Sequence, residues 1–197
     1  MFASYLKKHC QDCDIITAID SKNAPYGDRG ERTIKRMTEA AISSYIGAID
    51  VIVLACNTAT AVAIDYLREK YPEQIFVGFE PMIKTAAMVT RTKKIVVLAT
   101  NATKKSKRYL VLKRRFGDID IIEPDCHDWA KKIDDKTISR KNINAVLRPN
   151  ISGADVIVLA CTHYTAAIDE IEDIVGPAIR VIDPFQPVAN RIRQIIE

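Results

Sequence analysis

An α/β fold with two similar parallel-sheet domains, related by a pseudo-twofold and with the second inserted in the first, is predicted by three observations. Strand and helix signals alternate along the chain. The heptapeptide Asp-Val-Ile-Val-Leu-Ala-Cys occurs twice, at residues 50–56 and 155–161, and each copy runs into a polar turn. Its four consecutive apolar residues, β-branched except for the Leu, read as a buried parallel strand, which puts each cysteine at a strand's carboxyl end.

The elements follow in order. Residues 2–9 read as a short helix, 15–19 as a strand and 31–46 as a long amphipathic helix. The first repeat supplies a strand over 51–55 and a helix over 58–70. Next come a strand over 75–78, a helix over 82–90, a strand over 95–99, a helix over 104–116 and a strand over 119–122. A helical region within 128–150 precedes the second repeat, which supplies a strand over 156–160 and a helix over 165–175. A strand over 180–182 and a helix over 187–196 close the chain. Gly78-Phe79-Glu80-Pro81 marks the first crossing and Gly176-Pro177 the return, so residues 1–82 with 178–197 form one domain and 83–177 the other. Cys56 and Cys161 then face a cleft between them, and domain interfaces are common ligand sites.

Composition narrows the function classes. Of the 197 residues, 48% are hydrophobic and 27% charged, close to ordinary globular usage. Lys and Arg (29) exceed Asp and Glu (25) by four, too little to argue for nucleic acid. The densest basic stretch, within 104–115, also carries Tyr109, Leu110, Val111 and Leu112, the mix of an amphipathic helix with a solvated basic face. No run approaches the roughly 20 apolar residues of a membrane span, and no signal-peptide pattern opens the chain, so the expected compartment is the cytoplasm. Five cysteines, an odd number, argue against a disulfide framework. Cys10 and Cys13 form a C-x-x-C without a second pair or suitably spaced His, so neither zinc nor redox work is expected there.

A lone strand-end cysteine is usually a small buried hydrophobe. Duplication of the whole setting reverses that reading for Cys56 and Cys161, whereas Cys126, which has no counterpart, is expected to be structural. Two equivalent thiols suit a reaction that needs two equivalent bases. His163, two residues after Cys161, is placed to lend a base or to cap its helix.

The ordered motifs Pro25-Tyr26-Gly27, Cys56-Asn57-Thr58-Ala59-Thr60, Gly78-Phe79-Glu80-Pro81, Ala99-Thr100-Asn101-Ala102-Thr103 and Cys161-Thr162-His163-Tyr164 resemble those of the glutamate racemases, within the aspartate/glutamate racemase superfamily. The resemblance implies racemisation of L-glutamate to D-glutamate for peptidoglycan, by a homodimer, without pyridoxal phosphate or any other cofactor, and without metal. It implies that Cys56 and Cys161 are the catalytic acid–base pair assisted by His163. Asn57, Thr58 and Thr162 would hydrogen-bond the substrate's amino and carboxylate groups, with Tyr26 and Gly27 contacting it through their loop and Thr100 and Thr103 joining them. Glu80 and Asp134 also match family positions and are given no role. The alternatives are another superfamily enzyme, acting on aspartate, a hydantoin or maleate, or a truncated, weakly active or non-catalytic homologue. That last reading rests on a departure: the family's opening strand and Asp-Ser-Gly turn, which assists the first cysteine, have no match here. Cys56 is therefore expected to be short of a partner.

Overall fold

A computed structural model describes all residues, 1–197. Its strands form two parallel sheets. β1 (Val51–Leu54) pairs with β2 (Ile75–Gly78), while β3 (Lys94–Ala99), β4 (Asp120–Ile122), β5 (Val156–Ala160) and β6 (Arg180–Ile182) form the second in the order β4-β3-β5-β6. The two heptapeptide copies thus supply one strand to each sheet, β1 and β5. The helices are α1 (Phe2–His9), α2 (Glu31–Ile42), α3 (Asn57–Lys70), α4 (Ile83–Val89), α5 (Asn101–Lys105), α6 (Lys107–Arg115), α7 (Trp129–Asp134), α8 (Arg140–Leu147), α9 (Ile168–Val175) and α10 (Phe185–Ile196).

Continuous apolar runs make strands that bury both faces. Every residue of β5 is buried. On one face of the larger sheet Val96, Leu98, Ile157 and Leu159 pack against Trp129, Ile143, Leu147 and Ile171. On the other, Ile95, Val97, Val156 and Val158 pack against Ile83, Ala86 and Tyr109. The smaller sheet is covered likewise, by Phe2, Leu6, Val188 and Ile192 over Val77 and by Ile42, Ala63, Ile64 and Leu67 over Ile52, Leu54 and Phe76. Each such side chain contributes about 1.5–3 kcal/mol by leaving water, so the two cores hold the strand ends in place. Gly78 lets α3 approach β2 closely, since a Cβ there would lie 2.4 Å from Thr60 Cγ2 and 2.7 Å from Ile64 Cδ1.

Several expectations need correction. Residues 15–19 form no strand: a strand requires a ladder partner, and this segment lies outside both sheets with Ile16 62% and Ile19 79% exposed. The helix expected over 31–46 is α to Ile42 and 3₁₀ over Ser43–Tyr45. The one expected over 104–116 begins at Asn101 and breaks at Ser106, whose hydroxyl donates to Thr103 O (2.8 Å) and accepts from Tyr109 N (3.1 Å), capping a new helix. The helix expected from 165 opens as a 3₁₀ segment over Thr162–Ala167. β6, within the 178–197 segment expected in the first domain, instead pairs with β5 in the larger sheet, so the chain leaves that sheet only after Ile182. Cys10 and Cys13 are joined as a disulfide: Cys10 ends α1, and the turn after it brings their Cα atoms to 5.5 Å, within bonding range.

Candidate active site

Both repeat cysteines sit one residue beyond a buried strand's last apolar stretch, where extended backbone gives way to helix. Cys56 caps α3, its Sγ accepting from Ala59 N at 3.5 Å. Cys161 stands in the same extended geometry before the 3₁₀ segment. Its Sγ lies 3.9 Å from His163 Nδ1, and His163 Nε2 lies 3.2 Å from Asp134 Oδ2 at the end of α7. An imidazole that donates Nε2–H to this carboxylate presents an Nδ1 lone pair to the thiol, the tautomer a proton acceptor needs.

Burial pushes both thiols above the ordinary cysteine range. At Cys161 a charge on Cys56 pushes further in the same direction, with the His163 and Tyr164 N–H groups opposing. At Cys56 the opposing donors are Ala59, Thr58 and the Thr58 hydroxyl. A charge on Cys56 therefore resists ionisation of Cys161, and burial holds both thiols protonated in the ligand-free site.

The sheets meet through their carboxyl-end loops. Thr162 Oγ1 donates to Ala55 O at 2.7 Å, tying the second repeat to the first. Thr58, from α3, is bonded to Thr100 (2.9 Å) and Thr103 (3.3 Å) beyond β3, and those two hydroxyls are 3.0 Å apart. All three threonines are buried and their hydroxyls bond one another, so this trio braces the cleft. Asn57 is fully buried: its Nδ2 donates to Phe79 O (3.1 Å) and Glu80 O (3.2 Å), and its Oδ1 has no partner. A buried acceptor left open in this way waits for a donor. The loop before α2 completes the wall, with Ala102 N donating to Gly27 O at 2.9 Å and the Tyr26 hydroxyl to Asp20 Oδ2 at 2.7 Å. Tyr26 lies near enough to Cys56 for a thiolate there to raise its phenol, after burial and the Asp20 bond.

These contacts bring Tyr26, Gly27, Asn57, Thr58, Thr100 and Thr103 together near Cys56, and Thr162 and His163 beside Cys161. Sequence reasoning missed Asp134 as His163's partner and Asp20 as Tyr26's. No group of three or more His, Cys, Asp or Glu side chains is gathered to hold a metal ion, and no helix is long and apolar enough to cross a membrane.

The family model for Asp/Glu/hydantoin racemases matches residues 1–192. This chain belongs to that family. It is 33% identical to the glutamate racemase of Sulfurovum sp. over 98% of this chain and 76% of that one. It is 35% identical to the glutamate racemase of Herpetosiphon aurantiacus over 93% of this chain and 74% of that one. Among solved structures, Escherichia coli glutamate racemase in complex with L-glutamate and the activator UDP-MurNAc-ala superposes with a TM-score of 0.87, at 26% identity, covering 99% of this chain and 77% of that chain. Membership makes the chain an amino-acid racemase of two parallel-sheet domains, and Cys56 and Cys161 fall at its two equivalent strand ends.

Proposed function

We propose that this racemase interconverts L- and D-glutamate by a two-base mechanism at Cys56 and Cys161, without pyridoxal phosphate, metal or other cofactor. The observation that carries the reading is the pair of repeat cysteines, one just beyond a strand of each sheet, with Thr162 Oγ1 donating to Ala55 O to tie the two strand ends together. Inverting Cα requires removing its proton on one face and delivering another on the opposite face, which a single fixed base does poorly. One cysteine as thiolate takes the Cα proton and becomes a thiol. The other thiol gives its proton to the opposite face of the carbanion and is left as thiolate, so protons and charge balance and the roles exchange for the reverse reaction.

The surroundings suit these steps. His163, oriented by Asp134, accepts the Cys161 proton when that side must act as base. The open Asn57 Oδ1 suits the substrate ammonium, and the N–H groups that open α3 suit its carboxylate. In this reading the Tyr26-Gly27 loop contacts the substrate through its backbone, while Thr58, Thr100, Thr103 and Thr162 hold the cleft's walls. The product D-glutamate would serve peptidoglycan assembly in the cytoplasm, and the working form would be a homodimer.

Racemisation in deuterium oxide tests the assignment, since it must place deuterium at Cα of the product enantiomer. Cys56→Ala and Cys161→Ala should each abolish racemisation yet keep elimination of HCl from the matching enantiomer of a β-chloro glutamate, which needs only one base. Full racemisation by either single variant would sink the two-base assignment, and inactivation of the wild-type protein by a chelator or a carbonyl trap would sink the cofactor-free one.

A further inference from the structure

Between the two sheets the chain runs through Phe79, Glu80, Pro81 and Met82 before entering α4. Met82 sits at φ 48°, a left-handed conformation that a non-glycine residue holds only where its surroundings enforce it. The carbonyls of Phe79 and Glu80 are the ones that fix Asn57 Nδ2, and Phe79 N donates to Thr60 Oγ1 at 3.0 Å. The crossing and the first turn of α3 are therefore one hydrogen-bonded unit. Besides the Thr100 and Thr103 hydroxyls on Thr58, one charged side chain of the second domain grips it. Arg108, in α6, donates Nε to both Glu80 carboxylate oxygens (3.0 and 3.1 Å) and Nη2 to Oε1 (2.6 Å), while its Nη1 reaches Asp65 of α3 at 2.8 Å.

We propose that Arg108 is a positioning residue for the racemase site: by clamping Glu80 and Asp65 it holds the crossing against α3 and so fixes the Asn57 side chain, whose amide oxygen is left without a partner beside Cys56. The inference rests on the two-cysteine reading only for its kinetic consequence. A planar guanidinium engaging two carboxylates fixes direction as well as distance, which a lysine ammonium does not. Arg108 and Glu80 keep 27% and 35% of their side-chain surface exposed, so the pair adds little to global stability while still fixing local geometry. Asn57, in contrast, is wholly buried, and its side-chain amide is held by the crossing's two carbonyls.

Two measurements on the full chain test this. In the ligand-free protein, the ¹⁵N–¹H resonances of the Asn57 side-chain amide should shift in Arg108→Gln and return partway in Arg108→Lys, with Glu80→Gln shifting them as Arg108→Gln does. In assays with glutamate, Arg108→Gln should lower kcat/KM by roughly tenfold or more, chiefly through KM, since misplacement of a binding group by about 1 Å can cost about 10²-fold. Arg108→Lys should fall between, and the melting temperature should be nearly unchanged in all three variants. Unmoved Asn57 resonances, or an activity loss that tracks a fall in melting temperature, would overturn the proposal. Shifted resonances in a protein that does not racemise glutamate would uphold the clamp and overturn the substrate assignment instead.

Discussion

Gly27→Ala offers a clean steric test of the cleft wall. A Cβ at Gly27 would lie 2.8 Å from Thr100 Cγ2 and 2.9 Å from Thr100 Cβ, at least 0.5 Å short of ordinary contact at 3.4 Å. Neither side yields easily. Gly27 O is held by Ala102 N at 2.9 Å, and Thr100 Oγ1 is bonded to Thr58 at 2.9 Å and Thr103 at 3.0 Å. Overpacking of this kind costs about 1–3 kcal/mol in stability. A displacement of half an ångström in the Tyr26-Gly27 loop or in Thr58 is half the 1 Å that can cost about 10²-fold, so kcat/KM should fall on the order of tenfold. Thr100→Ser removes the nearer of the two clashing atoms and keeps the hydroxyl, so the double variant Gly27→Ala/Thr100→Ser should regain part of both losses. Thermal melts and racemisation kinetics on the four proteins complete the cycle. A Gly27→Ala protein with wild-type kcat/KM would refute the claim that the loop and the threonine trio together set the cleft.

Two further predictions address the cysteines. Asp134→Asn should lower kcat while leaving the fold intact, within the roughly 10² to 10⁴ that a positioned acid–base group contributes, because an amide at that 3.2 Å position can donate as well as accept and no longer fixes the His163 tautomer; an unchanged kcat would remove Asp134 from the site. Because burial raises both thiols, Cys56 and Cys161 in the ligand-free protein should alkylate with iodoacetamide more slowly at neutral pH than a free cysteine, accelerating as pH climbs past about 8.5. The sign for stability follows. Below the unfolded-state pKa of about 8.5 both states hold the protons and nothing is lost, while above it the unfolded thiols ionise first and stability falls. Peptide-resolved mass spectrometry and melts of wild type against Cys56→Ala between neutral and alkaline pH check both, and fast alkylation of either residue at neutrality would contradict the direction.

Much of the larger sheet was legible because buried parallel strands are written as unbroken apolar runs: residues 156–160 match β5 residue for residue, and the shorter edge strand β6 falls on residues 180–182 as the βα alternation predicts. Residues 15–19 carry a similar apolar content yet join neither sheet and are exposed from Ile16 to Ile19, since no local pattern says whether a strand will find a neighbour. The cysteines were legible through duplication. Their support was not. Asp134 reaches His163 from a helix 29 positions earlier, and Arg108 reaches Glu80 across 28; pairings of that kind are made by tertiary packing and leave no mark in spacing. Asn57 was singled out by resemblance, but only its burial reveals which of its amide atoms is left open.

The heptapeptides are identical and their sequels are not, and this breaks the symmetry of the cleft in a way that bears on kinetics. After Cys56 come an amide held by the crossing and a threonine locked in its trio; after Cys161 come a threonine stitched to Ala55 and a histidine backed by a carboxylate. On the proposed two-base reading, the two faces of a bound enantiomer therefore meet unlike chemistry. Mirror-image substrates have equal free energies, so the Haldane relation forces kcat/KM to be the same in both directions whatever the protein does. Unlike supports can then express themselves only by dividing that common ratio differently, the direction with the larger kcat necessarily carrying the larger KM.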